Sequence, residues 1–213
     1  MKNIEVEFRF EVTDEKRADD FLSKLTFVKK SHQRDIYFDT DAGDLFKRGI
    51  FLRTRNGKTL DFKFNLEDNE NKHEDCDEHS FVLPLSEDDW QRLASVCKRL
   101  GLKIPKVIEL ERILESNKLK EFVVIDKVRK EFSDGEFTFC FDDVKNFGKF
   151  LEIEAMAAKG ADLDGLKRRM VERVRALNPK FLPTGYIELF VKKKDFNLYK
   201  QGRFILHEDK ENC

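Results

Sequence analysis

Three short segments of the chain place like charges two residues apart: Arg53 and Arg55, Lys127 and Arg129, and Glu152 and Glu154. A fourth, Ile4-Glu5-Val6-Glu7-Phe8-Arg9-Phe10, sets Glu5, Glu7 and Arg9 against an alternating series of apolar residues. Asp61 and Lys63 likewise alternate with Phe62 and Phe64. Residues i and i+2 of a strand share a face, and like charges so close repel unless something binds between them. A ligand with several negative charges would satisfy the arginines and lysines, the forked guanidinium being suited to pairs of phosphoryl oxygens. Mg²⁺ or Mn²⁺ would satisfy the carboxylates, bridge them to that ligand, polarise a phosphate and lower the pKa of bound water. Alternation alone also fits an ordinary sheet with one wet face.

These charges need strands to carry them. Period-two patterning predicts strands over Ile4 to Phe10, Arg34 to Phe38, Phe51 to Arg55, Thr59 to Leu66 and Ser80 to Leu85. In the second half it predicts them over Glu121 to Phe132, Phe137 to Asp142, Phe150 to Ala155 and Tyr186 to Val191. Asn56-Gly57 and Asp134-Gly135 read as hairpin turns. Thr13 is placed to cap a helix running to about Leu25, Ser86 opens one that ends near Leu100-Gly101, and apolar residues recur at helical spacing from Asp162 to about Leu177. Two rounds of strands with one long helix each imply an α+β fold: a closed eight-stranded antiparallel β-barrel with peripheral helices. Closure hides sheet edges and turns the charged face inward, where unpaired charges are costly.

The chain has 213 residues, 21 of them Phe, and its charged residues nearly cancel, with 41 Lys and Arg against 42 Asp and Glu. A broad electrostatic grip on nucleic acid is not expected from that balance. No apolar run approaches the roughly 18 residues a membrane span needs, and the N-terminus lacks a signal peptide's apolar stretch, so a cytoplasmic protein is expected. Cys76, Cys97, Cys140 and Cys213 have neither zinc-knuckle nor CxxC spacing; Cys97 and Cys140 read as free core thiols. His73 to His79 fits a solvated loop better than a soft-metal site. There is no GxxxxGKS/T loop and no Rossmann fingerprint, so any nucleotide must be held by side chains. One domain is expected over residues 1–203, followed by a mobile tail over 204–213.

The opening Glu5-Val6-Glu7-Phe8-Arg9 resembles the ExExK signature of the CYTH superfamily, the triphosphate tunnel metalloenzymes. The resemblance continues in order through Arg34-Asp35-Ile36-Tyr37-Phe38-Asp39-Thr40, Leu45 to Arg55, Asp126-Lys127-Val128-Arg129, Phe141-Asp142-Asp143-Val144, Gly148 to Glu154, and Thr184-Gly185-Tyr186-Ile187-Glu188-Leu189. It implies metal-dependent chemistry on a triphosphate, with Glu5, Glu7 and Arg9 as the catalytic set. It implies metal ligands, or their organisers, at Glu5, Glu7, Glu78, Asp142, Glu152 and Glu154. Phosphate binding is implied at Arg9, Arg53, Arg55, Lys63, Lys127 and Arg129, and at Lys149 in a loop. Arg9 stands where the signature has lysine, and His79-Ser80-Phe81 lacks the second acid common in the middle strand.

Hydrolysis and cyclisation use nearly the same ligand field. A hydrolase needs only the phosphate tail, whereas a cyclase must also seat the ribose 3′-hydroxyl and the base. No feature of the chain specifies adenine, so hydrolysis of inorganic, nucleoside or thiamine triphosphate is the favoured expectation. A class IV adenylate cyclase and a non-catalytic phosphate-ligand binder are the alternatives, and a monomer and a homodimer are both allowed.

Overall fold

The computed structural model describes residues 4–66, 77–107, 109–158 and 160–210, without the side chains of Ile4, Glu5, His207 and Lys210. Cys76, Cys213 and His73 lie outside the described residues. In chain order the strands are β1 (Ile4–Glu11), β2 (Thr26–Asp39), β3 (Ile50–Arg55), β4 (Thr59–Phe64), β5 (Asp77–Val82), β6 (Lys120–Ser133), β7 (Thr138–Val144), β8 (Gly148–Ala157) and β9 (Lys180–Phe181). The helices are α1 (Glu15–Leu22), α2 (Asp44–Lys47), α3 (Trp90–Leu100), α4 (Leu110–Ser116), α5 (Leu163–Val174), α6 (Tyr186–Lys194), α7 (Phe196–Tyr199) and α8 (His207–Lys210).

The expected closed eight-stranded barrel is not what forms. The described residues build one open nine-stranded sheet in the order β5-β4-β3-β2-β6-β7-β8-β1-β9, with β5 and β9 at its edges. The α+β class holds; the closure does not. The segment expected as the last strand, Tyr186 to Val191, is the helix α6 instead. Its buried residues Tyr186, Ile187, Glu188 and Val191 follow helical spacing rather than strict alternation. Lys192, Lys193 and Lys194 complete its last turn, where cations suit the helix dipole.

The chain divides into two compact units, Met1–Gln33 with Asp126–Thr184 and Arg34–Ile125 with Gly185–Cys213. In the first, β8 is flanked by β1 and β7 in antiparallel register. Its apolar face, including Val6, Phe10, Phe139, Leu151 and Ile153, packs with Ala18 and Leu22 of α1 and Leu166, Met170 and Val174 of α5. Asp14, not Thr13, caps α1, its side chain accepting from the Arg17 N–H, and the helix stops at Leu22. Asp162 caps α5 in the same way.

In the second unit β3 and β4 form the hairpin expected at Asn56-Gly57, whose φ values of 54° and 64° suit that turn. Leu52, Leu60, Phe62, Phe64 and Phe81 meet Leu93, Val96, Cys97 and Leu100 of α3. A 3-10 turn at Glu87–Asp89 leads into α3, with Ser86 and Asp89 completing a capping box, and Gly101 ends the helix at φ 71°. The helices α2, α4 and α7 were not anticipated; each has seven residues or fewer. The segment expected as a mobile tail carries buried Phe204 and Leu206. It also carries Asp209, which accepts from the Tyr199 hydroxyl at 2.8 Å and from Lys192 at 2.7 Å.

Candidate functional site

Because side chains alternate along each strand, the face opposite the apolar core of the first unit collects Glu7 and Arg9 from β1, Glu152 and Glu154 from β8, Asp142 from β7, and Lys127 and Arg129 from β6. Register does the rest: Glu7 lies opposite Glu154, Arg9 opposite Glu152, and Arg129 opposite Asp142. One oxygen each of Glu7, Glu152 and Glu154 lie within 4.8 Å of one another, the group among the described residues able to hold a metal ion. Three carboxylate oxygens are hard donors suited to Mg²⁺ or Mn²⁺. Glu5 runs along the same strand opposite Met156, but its side chain is outside the description.

Each of these carboxylates already meets a guanidinium. Arg9 donates from Nε to Glu152 Oε1 at 2.6 Å, from an Nη to Glu7 Oε1 at 2.6 Å, and from its other Nη to the Thr184 carbonyl at 2.7 Å. Arg129 reaches the second oxygen of Glu152, and Glu154 Oε1 at 3.4 Å. Glu152 is only 2% exposed. Burial pushes its pKa up, but Arg9, Arg129 and Lys127 outweigh that and hold it well below the usual carboxylate range. The same cations favour the carboxylate form of Glu152, which accepts from both arginines.

The second unit carries a charged face of its own. Arg53 and Arg55 on β3 lie opposite Tyr37 and Asp35 of β2, while Asp61 on β4 faces Arg53 and Ser80. Arg53 donates to Asp35 at 3.1 Å and to the Tyr37 hydroxyl at 3.1 Å. Burial raises the Tyr37 pKa more than the neighbouring guanidiniums lower it, so the phenol stays protonated. Lys63 pairs with Glu78 at 2.7 Å. Neither Glu78 nor Asp142 belongs to the carboxylate trio; Asp142 is instead held by Lys127 and Arg129. Lys149, expected in a loop, lies within β8 and pairs with Glu15. It alternates with Glu152, on the face that carries Leu151 and Ile153.

Sequence reasoning passed over Asp35 as a site residue, although it is a 2% exposed acid at a strand end whose neighbouring strand carries an arginine pair. An acid at such a position could have been found by asking which residue neutralises that pair. It also read Cys140 as a core thiol. Cys140 is buried, as expected, but it shares the β7 face of Asp142, where burial raises its pKa far above that of a free thiol.

In the first unit the sheet packs α1 and α5 on one face and carries interleaved carboxylates, guanidiniums and lysine on the other, where three carboxylates could hold a divalent ion. The chain belongs to the CYTH domain family, whose profile matches residues 3–208. It is 26% identical over 191 residues to a candidate adenylate cyclase of Methanocaldococcus jannaschii, a match covering 87% of this chain and 98% of that protein. Among solved structures it resembles a conserved hypothetical protein from Pyrococcus furiosus at TM-score 0.56 and 25% identity, over 87% of this chain and 99% of the other. It also resembles a Hippeastrum protein named as a candidate adenylyl cyclase with a dominant triphosphatase activity. That match has TM-score 0.57 and 18% identity, over 91% of this chain and 96% of the other.

Proposed function

We propose that this protein is a metal-dependent triphosphatase that takes inorganic triphosphate or the triphosphate end of a small molecule. The observation that carries the reading is the meeting of three carboxylates with two guanidiniums on one partly buried sheet face. A divalent metal held by Glu7, Glu152 and Glu154, with Glu5 as a further ligand on the family resemblance, would supply charge neutralisation and an activated water. Arg9, Lys127 and Arg129 bind phosphoryl oxygens and stabilise charge that develops on them as a P–O bond breaks. Arg53, Arg55 and Lys63 are proposed as further phosphate contacts on their charge and on the family pattern. Burial lowers the pKa of Lys127 despite Glu152 and Asp142 beside it. Cyclisation of ATP to cyclic AMP is the second reading, favoured by the name given to the Methanocaldococcus jannaschii relative.

The test incubates the protein with inorganic triphosphate, ATP or thiamine triphosphate, each with Mg²⁺ or Mn²⁺, and resolves all products. The expected result is orthophosphate or pyrophosphate without cyclic nucleotide, lost in a Glu7→Gln, Glu154→Gln variant. Cyclic AMP with equimolar pyrophosphate would move the protein to the cyclase reading. Binding of these compounds without turnover would make it a phosphate-ligand module.

A further inference from the structure

Each unit contains the same small device: one buried aspartate gripping two cations that sit two residues apart on the neighbouring strand. In the first unit Asp142, fully buried, accepts a fork from Arg129 through Nε and an Nη, both at 2.7 Å, and a single bond from Lys127 at 2.6 Å. In the second, Asp35, 2% exposed, accepts a fork from Arg55 through Nε and an Nη, both at 2.8 Å, and a single bond from Arg53 at 3.1 Å. The bonding pattern repeats atom for atom. The later residue of each pair supplies the fork, and the earlier one shares the second aspartate oxygen.

Two cations on one strand face repel, and long basic side chains lose rotamer freedom when they bind an anion. A carboxylate placed between them offsets part of the pair's charge and fixes both rotamers, while Glu152 and Glu154 beside Arg129 and Asp61 beside Arg53 supply further counter-charge. We propose that Asp142 and Asp35 are positioning residues that pre-order the two basic pairs for phosphoryl oxygens, and that Asp142 is not a metal ligand. This rests on the triphosphate reading above for the identity of the anion. Asp142 stands outside the group of carboxylates Glu7, Glu152 and Glu154 whose oxygens converge, and its two oxygens face Lys127 and Arg129.

The experiment reads the anion and the metal separately. Inorganic triphosphate affinity is measured by calorimetry without metal, Mn²⁺ affinity by electron paramagnetic resonance without phosphate, and KM and kcat with both. Asp35→Asn and Asp142→Asn should each weaken triphosphate binding and raise KM about tenfold, with a smaller change in kcat, because lost pre-ordering is a binding cost. Mn²⁺ affinity should stay within about threefold of wild type, whereas Glu152→Gln should lower it by about tenfold or more. Asp142→Asn leaves the Lys127 ammonium buried without its partner, so Lys127→Met, Asp142→Asn is the folded fallback and should also keep Mn²⁺ affinity. Loss of Mn²⁺ affinity in either Asp142 variant equal to that of Glu152→Gln would overturn the assignment, as would unchanged triphosphate affinity and KM in a folded Asp35→Asn or Asp142→Asn. A wild-type protein that ignores every triphosphate sinks the functional reading alone, and the Mn²⁺ measurement then decides the role of Asp142.

Discussion

Arg9 shows what one residue's geometry adds to its charge. The family signature resembled at this position has lysine, yet the guanidinium here serves Glu7, Glu152 and the Thr184 carbonyl at once. An ammonium on a flexible stem cannot match that planar fork. Arg9→Lys is expected to lower the unfolding free energy by about 2 kcal/mol, the scale of a lost charge-assisted hydrogen bond, as read by urea unfolding; an unchanged midpoint would mean the fork contributes nothing net. Glu152 is the more sensitive position, because its replacement removes a shared counter-charge from two partly buried guanidiniums. Glu152→Gln should cost about 3 kcal/mol or more, and a smaller loss would show that Glu7, Glu154 and Asp142 take over the pairing.

At the scale of an element, the β6–β7 turn depends on one carboxylate. Asp134 Oδ1 accepts from the N–H groups of Glu136 at 3.0 Å and Phe137 at 2.8 Å, while Oδ2 accepts from Arg173 of α5 at 2.6 Å. Asp134→Ala should cost about 1 kcal/mol, as removal of a helix cap does, or about 2–4 °C in Tm for a chain of this size. Burial alone would raise the Asp134 pKa, but the two N–H groups and the Arg173 guanidinium hold it below its ordinary 3.8. A depressed folded pKa contributes stability in full above the unfolded value and loses it as pH falls through the folded one. Wild type should therefore lose stability more steeply below about pH 4 than Asp134→Asn, which keeps the acceptor for the turn and removes the titration. Parallel acid limbs in the two proteins would contradict that role.

For the whole molecule, β2 and β6 are the longest of the described strands at 14 residues each, and each contributes residues to both units. No described helix is long and apolar enough to cross a membrane, which leaves the behaviour of strands untouched. Among the described residues each unit also holds one buried thiol, Cys97 in the second and Cys140 in the first. Burial raises the Cys97 pKa to about 11 and that of Cys140 further, so neither offers a thiolate in the folded state. Thiol labelling followed by mass mapping should leave both unmodified in buffer and label both across the urea transition. Modification of either in buffer would show that its unit opens locally.

The faces of the strands, the Asn56-Gly57 turn and the Ser86 and Asp162 helix starts were legible in the chain, because each is encoded by spacing within a few residues, while the family showed as a resemblance carried by an ordered set of motifs. The carboxylates Glu7, Glu152 and Glu154 were legible for the same reason, each standing at a charged position of an alternating strand. What local spacing could not encode was pairing between distant segments. Tyr186 to Val191 has enough β-branched and aromatic residues for a strand, and only its packing, with Ile187 and Val191 one turn apart and buried, makes it a helix. Asp35 and Asp142 look alike in sequence to any strand-end acid. Register alone brings a basic pair on the neighbouring strand to each of them, and a buried carboxylate needs cations to neutralise it.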